Sequence, residues 1–292
     1  MQIRMQRSRY TSAYFKRRLG RVIYHGLIIA FGLFMIYPLL WMVSASFKTD
    51  QEIFTGINFI PIAPTLSNYI NGWRGVSGFT FGRFFFNSFF ITMVNIIGNV
   101  VTCSMAAYAF AKLQFKGSSV LFTIMLMTLM LPGHVRLIPT YIIFNNLGWV
   151  DTFLPLTVPS FFAGSGFFIF LMIQFMRNIS NEMLEAPRID GCNTFQIYLH
   201  FIIPLSVPAL VTVAIFTFIG TWNDFFSQMI YLQNPARFTV AMALRMFVDA
   251  TGQSAWGSLF AMSVLSLIPL FAIFIFFQRY LIEGIQSGSL KG

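Results

Sequence analysis

Charge is what this chain has least of. Only 10% of its 292 residues are Asp, Glu, Lys or Arg, while 57% are hydrophobic and 18% aromatic. An ordinary soluble domain carries about 25% charged residues. A chain this poor in charge cannot cover a globular surface with polar groups, so lipid is the solvent for most of it. Cysteine is scarce as well. Cys103 lies in an apolar run and Cys192 in a polar loop, at different levels of a membrane, so both read as small packing residues and not as a disulfide framework. The three histidines, His25, His134 and His200, fall in separate segments, which argues against a metal site. There is no Gly-Lys pair, and hence no phosphate-cradling Gly-x-x-x-x-Gly-Lys-Ser/Thr loop. His-Glu-x-x-His, Cys-x-x-Cys and Gly-x-Ser-x-Gly are missing too, so nothing here points to covalent chemistry or to ATP hydrolysis by the chain itself.

What is present are long runs free of Lys, Arg, Asp and Glu. A helix needs roughly 20 mainly apolar residues to cross the hydrocarbon layer. Val22 to Phe47, Phe84 to Ala111, Gly117 to Leu131, Thr152 to Met176, Phe201 to Asn223 and Ala250 to Gln278 meet or approach that length, the third being the shortest. They predict an all-α membrane protein with six transmembrane helices. Leu137 to Val150 is apolar but short and broken by Pro139 and Gly148, so it reads as an interfacial or re-entrant piece. The first run is far longer than the roughly 7–15 residues of a signal-peptide core, and Ser44-Ala45-Ser46 reads as part of a retained anchor.

Orientation follows from the basic residues. With the N-terminus inside, Arg4 to Arg21, Lys112, Lys116, Arg177, Arg188, Arg279 and Lys291 are cytoplasmic, and the longer outer segments hold only Lys48, Arg74, Arg83, Arg136, Arg237 and Arg245. Both termini are then cytoplasmic. The net charge of +10 is bunched at the N-terminus and in short loops, a membrane-orientation pattern that speaks against nucleic acid. The expected organisation is a basic segment over 1–21, which can touch anionic lipid, a transmembrane domain over 22–283 with a cytoplasmic loop at 177–203, and a tail over 284–292. Turn-rich outer loops run from Thr49 to Arg83 and from Tyr231 to Gln253. The spans contain no carboxylate, and Asp224 only borders the fifth. Ion-driven transporters usually need acidic or His groups at membrane depth, so the energy for any transport comes from a separate ATPase.

The long polar interruption at Ser180 to Gly191 reads as a projecting short helix. Ser180 can cap a helix beginning at Asn181, with Glu182 in the first turn, where the dipole favours anions. Met183, Leu184, Ala186 and Ile189 form an apolar edge, Pro187 kinks or shortens the helix, and Gly191 ends it with positive φ. Asn193 or Thr194 restarts the chain towards Pro204. This stretch resembles the Glu-Ala-Ala loop of ABC importer permeases: Glu-Ala-Ala, three residues, Gly, nine residues, Ile-x-Leu-Pro. Glu185, Ala186, Gly191 and Pro204 are in register, while Pro187, Phe201 and Ile203 depart from it. Leu131 to Pro139, Gly220 to Phe225, and Gln278-Arg279-Tyr280 with Gly284, Gly288, Lys291 and Gly292 look like the carbohydrate-uptake, maltose-permease-like branch.

The resemblance implies a type I ABC importer permease fold in a bacterial or archaeal cytoplasmic membrane. Its partners would be a second, commonly different, permease subunit, two ATPase subunits and an extracytoplasmic binding protein. No cofactor is implied for this chain; ATP and Mg belong to the ATPase. Glu185, Ala186, Pro187, Arg188, Asp190 and Gly191 would dock on the ATPase. Trp222, Asn223, Asp224, Arg237 and Arg245 are the candidates for sugar or binding-protein contact. Asn223 and Asp224 offer planar hydrogen-bonding groups, whereas Trp222 also suits a structural role at the interface. Arg237 and Arg245 would suit an acidic sugar. Two readings stand beside sugar import: a permease for another solute, such as glycerol phosphate or a polyamine, and a non-transporting membrane scaffold.

Overall fold

The computed structural model describes residues 2–56, 58–248 and 255–289. The ends of two expected segments, Asp249 to Gln253 of the outer loop and Lys291-Gly292 of the tail, lie outside the described residues, as does the start of the sixth expected span. The described chain is helical, with one isolated bridge between Val76 and Phe79 and no strand. Helices α1 (Gln2–Ala45), α2 (Asp50–Thr55), α3 (Ser67–Arg74) and α4 (Phe81–Lys112) come first. Next are α5 (Ser118–Met130), α6 (Gly133–Asn146), α7 (Leu154–Thr157), α8 (Gly166–Arg177) and α9 (Glu182–Ile189). Then follow α10 (Thr194–Ile197), α11 (Ile203–Leu205), α12 (Val207–Asn223), α13 (Phe226–Tyr231), α14 (Val240–Met246) and α15 (Trp256–Ser289).

Four stretches are long and apolar enough to cross a membrane as they stand: Gly20–Ala45, Phe81–Lys112, Leu154–Arg177 and Trp256–Tyr280. Two bent pairs of helices pass the same test together, and the number is six if each pair is one span. The helix α5 has 13 residues and spans only ~20 Å, less than the hydrocarbon layer. The chain then turns by 105° into α6, the apolar piece expected at an interface or as a re-entrant segment. The fifth crossing departs from the sequence reading. Phe201 to Asn223 is not one straight span, because Thr194–Leu205 and Val207–Asn223 meet at 77°. Pro204 and Pro208 remove successive donors on either side of Ser206, and the turn before them, Tyr198–Ile202, is π-helical, so the helical ladder is interrupted where it bends.

The fourth crossing is interrupted as well. Between α7 and α8 the backbone tightens into a 3-10 turn over Val158–Phe162, and Ala163 takes φ +52°. Its freed polar groups are met by α4. Asn95 donates to the Leu156 carbonyl (2.9 Å), Thr102 to the Ser160 carbonyl (3.0 Å), and the Ala163 amide donates to the Thr102 hydroxyl (3.2 Å). Irregular backbone persists at membrane depth only when protein satisfies it in this way. Gly98 makes the approach possible, because a Cβ there would lie 2.3 Å from Ser160 Oγ.

The helix α4 is the axis of the bundle, packed by α8 and α12, with α15 on α12. It carries two cores. At one end Cys103, Ala107 and Tyr108 join Met172, Met176, Leu184, Ile197 and Tyr198. At the other, Phe81 and Phe84 join Phe218, Trp222, Val240, Ala243 and Met262. By contrast, α1 lies at the edge. Its apolar side chains from Val22 to Leu40 are exposed, as a lipid-facing helix requires, and Trp41 packs edge-on to Phe260 of α15.

Candidate coupling loop and outer cavity

The loop between α8 and α10 projects from the end of the bundle that holds Lys112. Its helix α9 begins at Glu182, one residue later than the sequence suggests, with the Glu182 amide donating to Ser180 Oγ (3.2 Å). Pro187 does not break the helix. The donor it lacks would have paired with the carbonyl of Met183, in an exposed turn that water can reach. Asp190 closes the helix on the Ala186 carbonyl, and Gly191, at φ +86°, lets the Cys192 amide return to the Pro187 carbonyl (2.9 Å). Asn193 and Gln196 then form a reciprocal capping box (2.9 and 2.8 Å) that starts α10.

The eight-residue helix has two sides. Leu184 and Pro187, three residues apart, are buried; Leu184 is 1% exposed, within the core of α4, α8 and α10. The expected apolar edge therefore loses Leu184, which serves as its root. Met183 (53% exposed) and Ile189 (86%) remain bare, with Glu185, Ala186, Arg188 and Asp190 on the same solvent side. The root is reinforced by hydrogen bonds. Lys112 donates to the Ile179 carbonyl (2.5 Å) and to Asn181 Oδ1 (3.0 Å). The hydroxyl of Tyr108 donates to the Thr194 carbonyl (3.3 Å), and Ser104 pairs with Tyr198 (2.7 Å). These contacts tie the root of α9 to α4, α8 and α10.

The opposite end is closed by Asp151. This residue sits at φ +61°, and its amide donates to the Tyr231 carbonyl (2.8 Å). Its Oδ1 accepts from the amides of Gln233 (3.1 Å) and Asn234 (2.9 Å), and its Oδ2 pairs with Arg237 (2.5 Å). Burial opposes ionisation of Asp151, but the Asn234 and Gln233 amides and the Arg237 guanidinium outweigh it and hold the carboxyl below its usual range. Arg83 (2.8 Å) and Asn87 (3.1 Å) donate to the Ala236 carbonyl and Ser88 accepts from the Val240 amide (2.9 Å), fixing the loop on α4.

Beside this clasp lie two adjoining depressions. One, of about 310 Å³, is lined by Asn95, Leu156, Thr221, Asn223, Asp224 and Gln228. The other, of about 420 Å³, shares Leu156 and Asp224 and adds Arg136, Thr140, Ser227 and Tyr231. Burial, then the Asp224 carboxylate, push the Tyr231 phenol up, so the charge of Asp224 is felt across the second depression.

The outer candidates thus occupy different surroundings. Asn223 and Asp224 line the cavity. Trp222 is 3% exposed, stacks on Phe218 (5.4 Å) and donates to the Ser266 carbonyl (3.2 Å), which is a packing role. Arg237 is held in the clasp. Arg245 is exposed, 5.7 Å over the Phe225 ring and 3.2 Å from Met229 Sδ, and has no carboxylate partner among the described residues. Asn95 also lines the cavity and is not among the residues expected from sequence. Its signal was a stripe on α4, Ser88, Thr92, Asn95, Asn99 and Thr102, alternately four and three residues apart, which places polar groups on one face of an apolar helix.

Comparison with known proteins agrees with this architecture. Residues 98–287 match the family model described as binding-protein-dependent transport system inner membrane component. The chain is 35% identical over 257 residues to the probable ABC transporter permease protein YurM of Bacillus subtilis, covering 88% of this chain and 84% of that one. It is 31% identical over 260 residues to the arabinooligosaccharides transport system permease protein AraQ of Halalkalibacterium halodurans, covering 88% and 91%. Among solved structures, a chain of a bacterial ABC transporter involved in the import of the acidic polysaccharide alginate superposes with a TM-score of 0.80 at 25% identity, over 90% of this chain and 96% of that one. With the interrupted spans, the projecting α9 and these relationships together, the chain belongs to the family of binding-protein-dependent transport system inner membrane components, the permease subunits of ABC importers.

Proposed function

We propose that this chain is a transmembrane permease subunit of an ATP-driven importer that takes up a sugar or oligosaccharide delivered by an extracytoplasmic binding protein. The observation that carries the reading is the two-sided α9: Leu184 and Pro187 root it in the bundle, while Met183, Glu185, Ala186, Arg188, Ile189 and Asp190 stand free. A short helix with bare apolar and charged groups fits a groove on another protein, and here that protein is the ATPase, which supplies ATP and Mg. Closure of two ATPase subunits moves α9, its root carries the motion into α4 and α8, and the cavity turns outward; hydrolysis returns it. The membrane is the cytoplasmic one, α9 and both termini face the cytoplasm, and a second permease completes the pathway. Relatives that transport arabinooligosaccharides and trehalose or maltose support a carbohydrate substrate.

The test is reconstitution with a second permease, the ATPase and the binding protein, followed by uptake of maltose, arabinotriose, an alginate trisaccharide and glycerol 3-phosphate. Uptake of a sugar that stops without ATP is expected. Uptake of glycerol 3-phosphate alone would favour the non-sugar reading, for which the 28% identity to a glycerol-3-phosphate permease UgpE of Brucella abortus speaks. Absence of uptake and of stimulated ATP hydrolysis would favour a scaffold.

A further inference from the structure

The 310 Å³ cavity beside Asn95 has a chemical polarity that follows from counting which atoms are already engaged. Asn95 is 8% exposed, and its amide nitrogen donates to the Leu156 carbonyl (2.9 Å) and lies 3.5 Å from Thr221 Oγ1. Because a carbonyl only accepts, that partner fixes which end of the amide is nitrogen. The Asn223 amide nitrogen is likewise engaged by the Ile219 carbonyl (2.9 Å). Both groups of the Gln228 amide are used, its nitrogen on the Thr221 carbonyl (3.2 Å) and its oxygen on the Thr239 hydroxyl. Asp224 Oδ1 accepts the Ser227 amide (3.0 Å). Among the described residues, the lining groups that remain open are the acceptors Asn95 Oδ1, Asn223 Oδ1 and Asp224 Oδ2 and, as donors, the Thr221 hydroxyl and the second N–H of Asn223 and of Gln228. No basic side chain lines this cavity, and Arg136 lines only its neighbour.

A wall that offers both acceptors and donors, and a carboxylate with no basic side chain beside it, matches groups that donate and accept without carrying negative charge. Sugar hydroxyls donate as well as accept, whereas a carboxylate only accepts and would meet Asp224 as a like charge. The volume is at the lower end of the range for small-molecule sites, about 300 Å³, and suits a single sugar unit. We propose that this cavity is a hydroxyl-binding subsite for one uncharged sugar unit, that Asn95, Asn223 and Asp224 are its acceptors, and that it rejects a uronate. The assignment deepens the sugar-import reading and rests on it.

The test uses a matched pair of probes, methyl β-glucoside and methyl β-glucuronide, which differ in a CH2OH against a COO−. Saturation-transfer NMR is recorded on the assembled complex of this chain with its partner permease and ATPase. In the parent complex the glucoside gives transfer at millimolar concentration and the glucuronide gives at least tenfold less. Removing a hydrogen bond to a charged group costs about tenfold or more, so Asn223→Ala combined with Asp224→Ala abolishes glucoside transfer, while Asp224→Asn narrows the difference between the probes. The exposed Asn223→Ala alone guards against misfolding and weakens glucoside transfer. Equal transfer from both probes, or variants that leave transfer unchanged, would overturn the subsite. No transfer from either probe, in a complex whose ATP hydrolysis still responds to its liganded binding protein, would overturn the subsite and leave the importer reading standing. A complex without that response would overturn both.

Discussion

The two ends of this bundle are held in different ways. At the α9 end a short helix is rooted by Leu184 in one apolar cluster, with Pro187 also buried and Lys112 bonded to the Ile179 carbonyl and Asn181, and its remaining faces are bare. At the opposite end long loops are fastened at discrete points by polar contacts across the sequence, Asp151 to Arg237, Asn87 to Ala236 and Gly257 to Asp50. Apolar burial is non-directional and shared among many neighbours, so the α9 root responds as a unit. Hydrogen bonds and ion pairs act singly and over short distances, so at the opposite end they fix loop positions around α14, whose Val240 and Ala243 are themselves buried in the second core.

The largest loss is expected at the α9 root. Leu184→Ala opens a cavity in the α9 core and should cost about 2–5 kcal/mol, read as a lowered unfolding temperature of the purified chain, with stimulated ATP hydrolysis in the complex lost as well. Gly98→Ala comes next. Its Cβ would sit 2.3 Å from Ser160 Oγ, so α4 and the interrupted fourth crossing must separate, at about 1–3 kcal/mol, measured by the same unfolding experiment. Gly191→Val adds backbone strain at φ +86°, about 1–3 kcal/mol, where added side-chain volume itself meets no neighbour. Gly191→Asn, which tolerates that conformation better, should recover much of the loss, and a merely steric fault would not separate the two. The smallest effect belongs to the outer clasp. Asp151→Asn keeps an oxygen for the Gln233 and Asn234 amides but removes the charge facing Arg237, and this partly exposed pair is worth about 0–1 kcal/mol. Because the folded carboxyl titrates below its unfolded value of about 3.9, the contribution is present above that pH and fades as pH falls through the lowered value. The parent and Asp151→Asn should therefore differ in unfolding temperature at neutral pH and converge in acid.

Local features were the legible ones. Four of the apolar runs, the turn at Gly191 and the restart at Asn193 depend on residues near one another in sequence, and the structure has them, the other two runs being parts of bent pairs. The inward turn of Leu184 was not legible, because an apolar residue on a short helix has no mark saying which neighbour it meets. The bend at Ser206 was hidden in a run whose hydropathy is unbroken, although Pro204 and Pro208 flank it. The partner of Arg237 is Asp151, 86 residues away, a pairing that no local pattern marks. Asn95 carries no charge to mark it, and the wall of this cavity is made largely of uncharged amides and hydroxyls.

If the bare face of α9 docks on the ATPase while its buried face holds the helix in place, a charge placed on the bare face breaks the complex and leaves the fold intact. The direct measurement is the amount of ATPase that co-purifies with Ile189→Asp, a substitution at a position 86% exposed, compared with the parent. The variant should insert and unfold like the parent but lose most of its ATPase, and Glu185→Ala, in the same preparation, should weaken substrate-stimulated hydrolysis. ATPase recovered with Ile189→Asp at the parent's level, with hydrolysis stimulated as before, would contradict that docking.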